Sequence, residues 1–107
     1  IFDTNPQTAR ETARKFMLTY NRLPNYANNL LRLGWKQEDI AGPDKMPSDK
    51  MVDAIVAWGT LETIVKRIDA HINAGANHVS VQVLPNRDGE MPVAQWRELA
   101  TALKSFN

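Results

Sequence analysis

Apolar residues recur along this chain with helical spacing in five stretches and with strand spacing in one. Ala9, Ala13, Phe16 and Met17 line one face of a helix that Asn5 caps, Pro6 opens and that runs to about Tyr20. Arg10, Glu11, Arg14 and Lys15 take its other face, with Glu11 and Lys15 in favourable i,i+4 register. Tyr26, Leu30 and Leu33 mark a second helix from Pro24 to about Leu33, with Gly34 as its stop. Residues 37–41 form at most a helical turn before the loop 42–47. Ser48 caps a third helix in which Met51, Val52, Ile55, Val56 and Trp58 leave little polar surface, so burial around most of its circumference is expected. Thr60 caps a fourth, whose Leu61, Ile64, Val65, Ile68 and Ile72 give the clearest amphipathic stripe. Pro92 starts the last, with Val93, Trp96, Leu99, Ala100 and Leu103 on one face.

The strand pattern is His78-Val79-Ser80-Val81-Gln82-Val83-Leu84, which follows the Gly75 turn. A strand without a neighbour leaves its N–H and C=O groups unpaired, at a cost if it is buried. Helix, glycine turn, strand, short loop, helix is the order of a parallel α/β fold, and Ile1-Phe2 reads as the stump of an adjacent strand. The expected fold class is therefore α/β, the C-terminal part of a (β/α)8 TIM barrel, mostly helical in this chain with one clear strand. Its valines would face the helices. His78, Ser80 and Gln82 would point inward, Gln82 nearest the C-terminal rim where barrels carry their chemistry. A mainly helical domain whose one strand pairs with a symmetry mate or partner is the alternative.

Composition narrows the classes. At 107 residues, with 43% apolar and 23% charged residues, the chain has the make-up of one globular domain. Thirteen basic and twelve acidic residues are interspersed with no basic stripe, which argues against nucleic acid, and no apolar run approaches a bilayer span, which argues against a membrane. The absence of cysteine excludes disulfides, thiolate metal sites and a cysteine nucleophile, and fits a cytoplasmic location. Ile1-Phe2-Asp3 is neither an initiator methionine nor a signal peptide, so a processed chain or a piece of a longer one is expected.

Several ordered segments resemble one family. Phe2-Asp3-Thr4-Asn5-Pro6 with the Ala9–Lys15 helix, Gly59-Thr60-Leu61-Glu62-Thr63, and Ala74-Gly75-Ala76-Asn77-His78-Val79 are similar to the C-terminal third of luciferase-like flavin-dependent monooxygenases. Leu23–Leu30, Val52–Gly59, Val81-Gln82-Val83-Leu84-Pro85 and Trp96-Arg97-Glu98-Leu99-Ala100 resemble most closely its deazaflavin-dependent oxidoreductase branch. Leu61 stands where the family commonly has Pro, and Asn77 where it has Asp. The resemblance implies that residues 1–4 end strand 7, 5–58 form a helical insertion, 60–74 helix 7, 78–84 strand 8 and 92–105 helix 8. It also implies that the first two thirds of such an enzyme, with most cofactor contacts, are missing, so the chain alone would be inactive. The complete protein would use coenzyme F-420, a deazaflavin, or alternatively FMN. It would act on a small-molecule substrate by hydride transfer or monooxygenation, with no metal, and a homo-oligomer is compatible with it. A non-catalytic helical binding or assembly module is the competing reading.

Within that frame Gln82, an inward amide, would meet the cofactor or substrate, or else be satisfied by neighbouring strands. Asp3 and Thr4 would sit on the same rim or simply start the first helix. Tyr26, Asn28 and Asn29, with Asn25, would line the substrate mouth or form a solvated helix face. Arg87, in the loop where barrels often hold phosphate, would bind an anion or lie in water. His71 and His78 read as structural. The three tryptophans, Trp35, Trp58 and Trp96, read as packing.

Overall fold

The computed structural model describes residues 1–104, and among them every regular element is a helix. These are α1 (Pro6–Asn21), α2 (Pro24–Arg32), α3 (Gln37–Ile40), α4 (Asp49–Ile55), α5 (Leu61–Asn73) and α6 (Val93–Leu103). The chain divides into two units, Arg10–Val56 and Ile1–Ala9 together with the chain from Ala57 onward.

In Arg10–Val56 the stripe of α1 buries Ala13 and Met17, and Ile40, Pro47, Met51 and Val52 are buried with them. Ser48 ties α3 to the start of α4. Its Oγ accepts the Met51 N–H (3.1 Å) and donates to Asp39 Oδ1 (2.8 Å), while its own N–H reaches the Asp39 carbonyl (2.9 Å). That is the N-cap the sequence predicts, with a second bond that fixes the preceding turn. α2 ends in a six-residue wrap in which Trp35 N–H meets the Leu30 carbonyl and Gly34 N–H the Leu31 carbonyl. The wrap requires a left-handed residue, and Gly34 takes φ +96°.

In the other unit, Ile64 and Ile68 of α5, Leu99 of α6 and Val83 form one buried cluster, with Phe2, Leu61, Val65, Val79 and Leu103 packed around it. Thr60 caps α5 through its hydroxyl, which accepts the Thr63 N–H (3.2 Å). α5 stops as α2 does, with Gly75 at φ +103° and bonds from Ala76 to His71 and from Gly75 to Ile72.

The structure overturns the α/β barrel expectation. Residues 78–84 are irregular, and none of their backbone groups pairs with another backbone segment among the described residues. Ile1, expected in the neighbouring strand of a sheet, bonds elsewhere. Its nitrogen donates to the Ala57 carbonyl (2.8 Å) and its carbonyl accepts the Gly59 N–H (3.0 Å). Residues 1–4 are therefore no strand end, and 78–84 no strand. The valine alternation has a different cause. Val83 is buried and Val79 half-buried against α5 and α6. Val81 between them is exposed, and so are His78, Ser80 and Gln82, which lie on the surface instead of pointing into a barrel. One-sided anchoring accounts for Val79 and Val83, and nothing in the structure explains the valine at 81.

Helix predictions compare closely in position but not in burial. The expected 92–105 helix is α6 at Val93–Leu103, and Ser105 lies outside the described residues. α4 ends at Ile55, and Ile55 is 46% exposed despite the apolar run around it. Trp96, read as packing, is 43% exposed.

Candidate functional site

An open groove of about 300 Å³ lies within Arg10–Val56. The last turns of α1 supply Phe16, Met17, Tyr20 and Asn21, α2 supplies Tyr26, Asn29 and Leu30, and α4 supplies Ile55. Helical spacing explains the first set: Phe16 and Tyr20 are i,i+4 neighbours, as are Met17 and Asn21. The aromatic rings form a series. Phe16 and Tyr20 meet at 5.3 Å between centroids and 53°, and Tyr20 and Tyr26 at 5.1 Å and 73°, an edge-to-face contact. Asn21 is fixed at one end of the wall, its Nδ2 donating to the Ile40 carbonyl (3.2 Å) and to Met51 Sδ (3.7 Å). None of the eight lining side chains carries a formal charge.

An ion-pair cluster of this unit lies outside the groove lining, between α1 and α4. Arg10 grips Asp53 with two bonds, Nε to Oδ1 (3.0 Å) and Nη2 to Oδ2 (2.7 Å), and also reaches Asp49 (3.3 Å). Arg14 pairs with the same Asp49 and donates through Nε to the Pro47 carbonyl (3.0 Å). The bond from Arg10 to the Asp53 carboxylate holds the guanidinium above the ordinary arginine range, with the charges of Asp53 and Asp49 adding to it. Every member is matched by an opposite charge or a carbonyl, which is the arrangement of a structural clamp.

Of the sequence candidates, Tyr26 and Asn29 line the groove, whereas Asn28 is exposed on α2 and outside it. Asp3 and Thr4 belong to the other unit. Asp3 receives the Thr8 hydroxyl and the Asn5 N–H (2.9 Å), and these bonds hold its carboxyl below the usual carboxylate range. With Asn5 Oδ1 accepting the Gln7 N–H (2.9 Å), that constellation starts α1. Thr4 is exposed. Gln82 is exposed as well, so the barrel-rim argument for it no longer applies. Arg87 lies exposed in a turn closed by Glu90 N–H on its carbonyl (3.2 Å). His71 and His78 are exposed. Sequence reasoning treated Phe16 and Met17 as core and did not single out Tyr20, Asn21, Leu30 or Ile55 for a site. The i,i+4 pair Phe16–Tyr20 is the signal that could have drawn attention to this face.

Among the described residues, no group of three or more His, Cys, Asp or Glu is placed to hold a metal ion. No helix among them is long and apolar enough to cross a membrane. No known protein family, curated protein or solved structure matches this chain.

Proposed function

We propose that this chain serves a flavin- or deazaflavin-dependent oxidoreductase, in which Arg10–Val56 supplies an apolar wall for a small organic substrate. The observation that carries the reading is the groove itself. It holds three aromatic rings and two amides, with no charge, in the size range of small-molecule sites. Tyr26 and Asn29, which the family resemblance assigns to a substrate mouth, both line it. The redox chemistry belongs to the cofactor, coenzyme F-420 or FMN, and the chain's part is to orient the substrate. The barrel has no place in this reading.

The test is a titration of the protein, as its gene expresses it, with coenzyme F-420 and with FMN, followed by cofactor fluorescence. Saturable binding of one of them is expected. Binding of neither overturns the oxidoreductase reading. A helical binding or assembly module is the second reading, favoured by the large apolar side chains exposed on and beside α2: Leu23 at 45%, Leu31 at 40% and Leu33 at 70%. The cofactor titration separates the two, since a binding or assembly module takes up neither cofactor.

A further inference from the structure

The substrate class can be read from the groove's walls, and this step rests on reading the groove as a substrate site. We infer that it takes a neutral aromatic molecule of one or two fused rings that carries a hydrogen-bond donor.

Neutrality follows from the lining, which offers no formal charge. A charged ligand would exchange its hydration shell for walls with no counter-charge. Aromaticity follows from the ring series. Phe16, Tyr20 and Tyr26 already step along the wall in tilted and edge-to-face contacts, and a further ring extends that series with the geometry the ring quadrupoles favour. Tyr20 and Tyr26 remain 39% and 45% exposed, so a ligand ring buries aromatic surface that the fold leaves in water. The thioether of Met17 gives a wall that adapts to ring shape. The volume, about 300 Å³ and at the lower end of ligand sites, has room for a ligand of one or two fused rings. The donor has acceptors to meet in the lining: Asn21, whose Nδ2 is committed to Ile40 and Met51, keeps its Oδ1 as an acceptor, and the Asn29 amide and the Tyr20 and Tyr26 hydroxyls offer further acceptor oxygens.

The experiment is an NMR titration of the isotope-labelled chain with four probes: 2-naphthol, 2-methoxynaphthalene, naphthalene-2-sulfonate and cyclohexanol. The expected result is saturable shifts with 2-naphthol at residues 16–30 and 55. Methylating the donor weakens binding about three- to tenfold, the range of one hydrogen bond. The sulfonate and cyclohexanol bind at least tenfold more weakly than 2-naphthol. Ile55→Trp, at a half-exposed rim position, fills the groove and abolishes the shifts while the spectrum stays dispersed. Equal binding of all four probes, shifts spread over other residues, or unchanged binding to the Ile55→Trp variant overturns the inference. Failure here is distinguishable from failure of the oxidoreductase reading, because the probes are scored without cofactor. A chain that binds 2-naphthol in the groove but neither F-420 nor FMN keeps the ligand class and loses the redox role.

Discussion

Arg10–Val56 and the unit built on α5 and α6 solve the same problem, burying apolar stripes of short helices, with different means. In the first, Ala13, Met17, Ile40, Met51 and Val52 are 0–3% exposed, and an arginine–aspartate clamp spans α1 and α4 around them. In the second, Ile64, Ile68, Val83 and Leu99 remain 5–9% exposed, and an irregular segment supplies one of the four. The comparison teaches that a tight core and an open groove coexist in one unit. Met17 belongs to both, buried at 3% yet part of the groove wall. A rigid floor under a half-open wall is what a binding surface needs.

The largest test of this contrast is a pair of core truncations. Met51→Ala, at a fully buried position, is expected to cost about 2–5 kcal/mol, because little can collapse into the space it leaves. Ile68→Ala, at 9% exposure, is expected to cost less. Urea denaturation of both variants decides it, and a larger loss for Ile68→Ala would break the contrast.

Next in size are the two helix stops. Gly34 and Gly75 both sit at positive φ, and a Cβ at either meets nothing within 4 Å, so the penalty of a side chain is backbone strain alone. Gly34→Ala and Gly75→Ala should each cost about 1–2 kcal/mol, by thermal melting, and should match each other although they lie in different units.

The clamp ranks below these. Arg10→Ala removes the two-pronged bond to Asp53, and its melting temperature should fall less than that of Met51→Ala. The difference from the parent should shrink as salt is raised, because part of the clamp is open to solvent.

The smallest effect is a pH dependence in the other unit. Asp3 titrates below its ordinary value of 3.8 in the folded chain, so its bonds to Thr8 and Asn5 stabilise the fold fully above that value. That stability is lost as the pH falls through the lower, folded value. Melts recorded from pH 6 down to pH 2 should show the parent losing more than Asp3→Asn, which has no such carboxylate to protonate.

The helices were legible because their signals are local. Pro6 and Pro24, Ser48 and Thr60 as caps, and Gly34 and Gly75 as stops each act within one turn of the residue concerned. The fold class was not legible, because a strand needs a neighbour and the alternating valines of 78–84 carry no information about one. The groove was half legible. Tyr26 and Asn29 stand out as an aromatic and an amide close in sequence, but their opposite wall comes from Phe16 to Asn21 and from Ile55. No pattern within a single helix announces that meeting.

Trp35 carries a consequence of another kind. It is the single indole of Arg10–Val56, since Trp58 and Trp96 belong to the other unit, and the Lys50 ammonium stands 5.6 Å from its ring centroid. The molecule thus contains an optical reporter assigned to one half of itself. With Trp58 and Trp96 replaced by phenylalanine, the remaining emission follows the groove-bearing unit alone, and its colour registers whether that cation is still in place.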